Sequence, residues 1–115
     1  MSQFNESNVK TFTNDSSAIG RYLRVKLSSG VLALAGASDT ELGVTRSRIE
    51  ASVPGGVHVR TAQGTVPMVA AGAISAGAEV FAAASGKIAS SGSVSIGTTL
   101  EASTADGDII EILRN

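Results

Sequence analysis

From Arg21 to Leu27 polar and apolar residues alternate without a break, with Tyr22, Arg24 and Lys26 on one side of an extended chain and Leu23, Val25 and Leu27 on the other. Only a strand with one buried face needs that period of two. The alternation returns in Val57-His58-Val59-Arg60 and again in Val94, Ile96 and Leu100 around Gly97. Turn residues separate the runs: Ser28-Ser29-Gly30, Gln63-Gly64, Ser85-Gly86 and Asp106-Gly107. Short strands at close spacing with Gly and Ser turns predict an all-β fold, a small compact β-sandwich or barrel-like domain. No repeat of fixed period is visible.

Element by element, Val31 to Leu34 pairs back on the first strand as a hairpin. Ala35 to Asp39 reads as a loop and Glu41 to Thr45 as a short run. An extended Arg46 to Ala51 puts Arg46, Arg48 and Glu50 on one face and Ile49 opposite. Pro54-Gly55-Gly56 reads as a break before Val57, and Thr65 to Ala70 as a strand. Over 70–85 alanine favours helix, but Gly72 and Gly77 each cost a helix about 1 kcal/mol, and caps and charged pairs are missing. The spacing favours a loop through Gly77, a strand at Glu79 to Ala83, a turn at Ser85-Gly86 and a return through Lys87 to Ala89. A helix is the competing reading there. The last strand, Asp108 to Leu113, has Ile110 and Ile112 on one face and Ile109 and Leu113 on the other, which predicts a central strand covered on both sides.

A chain of 115 residues supports one domain. Of its 49 hydrophobic residues 17 are alanine, which buries little area, so the core is thin and burial between subunits is expected to supplement it. Residues 1–20 are rich in Asn, Ser, Thr and Asp, and their isolated apolar positions Phe4, Val9, Phe12 and Ile19 match neither period. They read as an extended N-terminal arm, residues 21–115 as the single β-rich domain. The bulky groups of the arm serve either to pack on its own domain or to become ordered against a partner.

Composition excludes several kinds of function. The chain has no cysteine, so disulfide scaffolds and thiolate metal sites fall away. Its start lacks the basic and apolar regions of a signal peptide, which points to synthesis in the cytoplasm. The longest charge-free run, Thr61 to Ala78, holds Gln63, Pro67 and three glycines and makes a poor membrane span. Residues 21–60 carry six Lys/Arg against three acids and residues 61–115 two against five, a dipolar chain without the basic excess or stacking aromatics of a nucleic-acid binder.

Chemistry is equally sparse. His58 is the only histidine and has no second ligand or orienting partner in the pattern, so it reads as a surface residue beside Arg60. Asp106 and Asp108 around Gly107 have the spacing of a tight turn, not of a calcium loop. No phosphate-binding glycine pattern and no Gly-x-Ser-x-Gly occurs. No catalytic residue, cofactor or metal is assigned, and the expected function is a surface rather than a reaction.

The run Arg21-Tyr22-Leu23-Arg24-Val25, then Gly30-Val31 and Leu42-Gly43-Val44-Thr45, resembles the capsid cement, or head decoration, proteins of tailed phages. The second half extends the resemblance through Ala73 to Val80, Ser85-Gly86-Lys87-Ile88, Ile96-Gly97 and Ala102 to Ile112. It covers residues 21–113, and order and spacing make it specific. The resemblance implies a non-enzymatic β protein on the outer surface of the virion capsid. Commonly a homotrimer, it clamps neighbouring major capsid subunits and binds no membrane or nucleic acid. On that reading Phe4, Val9 and Phe12 order against capsid or a neighbouring subunit, while Arg21, Arg24, Arg46 and Arg48 meet acidic capsid surface. An ordinary solvated face is the plainer account of the arginines. A virion- or tail-associated carbohydrate-binding module is the alternative function, disfavoured by one tyrosine and no tryptophan for stacking on sugars.

Overall fold

The computed structural model describes residues 9–14, 17–60 and 65–114, and within them the chain forms two five-stranded antiparallel sheets. The first contains β1 (Val9–Thr13), β2 (Arg24–Ser28), β3 (Val31–Leu34), β4 (Gly43–Thr45) and β5 (Pro54–Val59), in the order β1-β5-β4-β2-β3. The second contains β6 (Val66–Val69), β7 (Glu79–Ala82), β8 (Ile88–Ala89), β9 (Ser95–Thr99) and β10 (Ile109–Arg114), in the order β6-β10-β9-β7-β8. The second order is the first with every strand advanced by five.

The likeness extends to single residues. All the described residues with positive φ fall into pairs across the halves: Tyr22 with Gly77, Ser29 with Ser85, Gly30 with Gly86, and Ser52 with Gly107. The separation is about 55 residues throughout. Ile19 and Ile49 exchange backbone hydrogen bonds, as do Ile74 and Ser103. Tyr22 N donates to Thr45 O at 3.0 Å and Gly77 N to Thr99 O at 2.9 Å. A Cβ at Gly43 would strike the carbonyl of His58, and one at Gly97 that of Leu113, so both inner strands need glycine for the same close approach. The molecule is thus a tandem pair of one five-stranded unit, which corrects the expectation of no repeat. What the halves share is turn geometry and strand order, held at scattered Ser, Gly and Thr positions that no hydrophobic period reports.

Each half wraps its own apolar cluster. Ile19, Val25, Leu32, Ile49 and Val57 form the first, and Met68, Val80, Ile88, Ile110 and Ile112 belong to the second, which Val44 also joins from β4. The second sheet curls into a half-barrel closed where Ala70 bridges Ile88. The barrel-like form therefore describes this half best.

Several local expectations change. Val9–Thr13 is not a projecting arm but an edge strand paired with β5 in register Phe12↔Gly55, and Phe12 packs on the first cluster. Phe12 alone between two exposed threonines shows no period. Phe4 and the Gln63-Gly64 turn lie outside the described residues. Pro54-Gly55-Gly56 is strand, not break: proline opens β5, where a missing donor is tolerated, and the Ile49 side chain fills the space a Gly55 Cβ would take. Residues 70–85 hold no α-helix, only the strand β7 and the 3-10 turn Ala84–Gly86. The last strand lies between β6 and β9 as expected, but its outer face is bare, with Ile109 and Leu113 exposed.

Candidate functional site

Where the two halves meet, the contact is one-sided. The carbonyl of Tyr22 accepts from Val69 N at 3.2 Å, joining the first half to the edge strand of the second. Arg24 crosses the same boundary. Its side chain is completely buried and donates through Nε to Lys87 O at 3.0 Å and through Nη2 to Ala83 O at 2.7 Å, with further bonds to Gly36 O and Asp39 O. Arg114 reaches back from β10: its Nη2 donates to Val59 O at 2.8 Å and its Nη1 lies 3.7 Å from the Glu41 carboxylate, both side chains nearly inaccessible. Guanidinium forks suit this task because several donors in fixed geometry satisfy carbonyls that would otherwise be buried unpaired.

Beside these pins the halves leave an open cleft of about 250 Å³, lined by Tyr22, Thr45, Arg46, His58, Val66 and Pro67. Tyr22 holds a left-handed backbone at φ 61°, a conformation that costs a non-glycine residue about 1 kcal/mol. Its ring carries the Arg21 guanidinium 4.8 Å above the centroid. Thr45 is spent internally, accepting from Leu23 N and donating to Gly20 O at 2.7 Å. Burial holds the His58 imidazole below the usual histidine range, and the nearby cations Arg114 and Arg46 push it further in the same direction. The cleft is therefore cationic at its rim, apolar along Val66 and Pro67, and suited to an oxyanion on a short stem. Among the described residues that line it, no nucleophile is hydrogen-bonded to a base.

Of the residues singled out from the sequence, Arg46 lines this cleft and Arg21 reaches it through Tyr22. Arg48 stands apart in an exposed pair with Glu50 at 2.7 Å. Arg24 is corrected: a side chain with no accessible surface is no docking residue, and its alternation with Lys26 hid the fact that the second half covers it. His58, read as a plain surface residue, is half-buried in the cleft. Tyr22 was legible only as a lone tyrosine, since its left-handed backbone has no sequence signal. Asp108 is a turn residue as read: backbone N–H groups of Thr104 and Ala105 donate to its carboxylate and hold it below the ordinary carboxylate range.

A family model described as phage cement protein matches residues 6–114. None of the curated proteins compared with the chain matches it. Among solved structures, the head fiber gp8.5 N base of bacteriophage phi29 superposes with a TM-score of 0.78 at 14% sequence identity, covering 93% of this chain and 94% of that one. At that identity the likeness speaks for the fold, while the family match spans nearly the whole chain. The protein belongs to the phage cement protein family and is a non-enzymatic structural protein of the phage capsid.

Proposed function

We propose that this protein binds the outer surface of an assembled phage head as a homo-oligomer, a trimer in preference to a dimer, and clamps neighbouring major capsid subunits. The observation that carries the reading is the family match together with a cationic cleft that its own chain leaves unfilled. Binding only to the assembled lattice stabilises that lattice by linkage, without any reaction. An oligomer touching several subunits turns weak patches into firm retention.

Arg46 and Arg21, with Arg48 more peripheral, are the residues proposed to meet acidic capsid side chains. A carboxylate takes a planar fork at arginine while its methylenes lie along Val66 and Pro67. The segment ahead of β1, including Phe4, is proposed to add apolar contact to the capsid; Val9 and Phe12 serve the protein's own sheet instead. Purified protein is mixed with expanded, undecorated heads and sedimented. Wild type pellets with the heads, Arg46→Glu stays in solution, and salt weakens the wild type. Wild type remaining in the supernatant overturns the reading.

A further inference from the structure

The internal contact between the halves engages unlike surfaces. On the first half it uses Tyr22, Arg24 and Val44, and on the second the edge strand β6 and the β7–β8 hairpin; only Arg114 meets its own counterpart, Val59. Because the halves share one fold, each of these surfaces has a counterpart elsewhere on the molecule. The counterparts of Tyr22, Arg46 and His58 are Gly77, Leu100 and Leu113, and this distal face of the second half is open: Leu100 is 49% and Leu113 50% exposed. The counterparts of Pro67, Val69 and Ala82 are Thr11, Thr13 and Leu27, a proximal face of the first half that is equally bare, with Leu27 45% exposed where Ala82 is buried. Where Arg24 is buried by the second half, its counterpart Glu79 is exposed, and where Val44 is buried, Thr98 is half-buried. A contact of this non-reciprocal kind leaves one surface of each type unsatisfied at the two ends of the pair.

We infer that the distal face of one molecule, around Leu100 and Leu113, docks on the proximal face of a second copy, around Leu27, repeating between molecules the contact that joins the halves within one. The occupant is a second copy because its first half has the fold of the unit that already fits the internal version of this surface, and because both bare faces centre on leucine. Solvent-exposed leucines on an interior strand and on a hairpin gain most from meeting each other. The arginine pin is not reproduced, since Glu79 accepts a hydrogen bond from Ser95 of its own chain at 2.6 Å. The intermolecular version rests on apolar contact and stays reversible. A heterologous contact closes into a ring when its rotation permits. The inference rests on the reading of the protein as an oligomer and gives that reading its surfaces.

Sedimentation equilibrium on the full chain tests it without any capsid present. Wild type sediments as a closed oligomer. Leu113→Glu blocks the distal face and Leu27→Glu the proximal one, and each variant alone sediments as an 11.5 kDa monomer. Mixed in equal amounts, the two restore one intact contact and form a dimer that grows no further. Leu100→Asp and Thr11→Arg replace either variant should its thermal unfolding show a lost fold. A wild-type monomer overturns the inference and the oligomer reading together. An oligomer that survives in both variants overturns the assigned faces and spares the oligomer. A mixture that stays monomeric overturns the heterologous geometry. Pelleting with heads, scored separately, reports on cement function alone.

Discussion

The first and second halves of this protein share a strand order, four left-handed turn positions and a close-approach glycine, yet they face outward with opposite chemistry. Around the first half's outward surface stand Tyr22, Arg46 and His58; at the same places in the second stand Gly77, Leu100 and Leu113. Turns and buried positions specify the unit, because they alone decide whether the strands can pair and close. Outward positions are released from that duty, so one copy of the unit supplies the cationic wall of the cleft and the other an apolar face. The difference teaches that contact chemistry lies where the two halves disagree.

The largest break in the comparison comes from paired substitutions at Arg24 and Glu79, which hold equivalent places. Arg24→Ala strands buried carbonyls from both halves and is expected to cost about 4 kcal/mol, whereas Glu79→Ala, on an exposed site, stays within about 0.5 kcal/mol. Urea unfolding measures both. Equal losses would show that the halves are not pinned to each other through Arg24.

A smaller effect sharpens the turn comparison. Gly77 has φ 79° and open space where a Cβ would stand, so Gly77→Ala meets no neighbour and pays only for the left-handed backbone, about 1 kcal/mol. The fall in thermal midpoint checks this. No change would mean that the turn adjusts, and that Tyr22 in the matching place is unstrained as well.

The smallest effect concerns pH. The folded protein holds the His58 imidazole below its unfolded value, through burial first and then through Arg114 and Arg46. The unfolded chain therefore takes up the proton first as pH falls. The stability associated with a neutral His58 is complete above pH about 6.5 and declines below it until the folded form also protonates. His58→Leu installs the residue of the second half and should remove this component from a stability profile measured between neutral and mildly acidic pH. An unaltered profile would assign the dependence to other groups.

Much of the fold was legible. Ser29-Gly30 and Ser85-Gly86 announced both hairpins, because serine and glycine tolerate the left-handed pair that ends a tight turn, two residues long in the first half and three in the second. Alternation placed β2 and β5, and Asp106-Gly107 marked the turn before β10. Of the arginines named from the sequence, Arg46 lies in the cleft and Arg21 on the Tyr22 ring that lines it. Arg24 was misplaced, because an identical pattern describes a guanidinium in water and one folded onto four carbonyls of distant loops. Phe12 was left between two readings, and it takes the one that packs on its own domain, because a single core contact leaves no period.

Local pattern, then, determined most of the strands and the turns, which depend on residues within a few positions of one another. The tertiary structure alone decided that the chain is two copies of one unit, that Arg24 lies inside, and that Tyr22, Arg46 and His58 share a cleft. These follow from how one half covers the other across some 55 residues of chain. Burial and potential depend on neighbours in space, which no local period records.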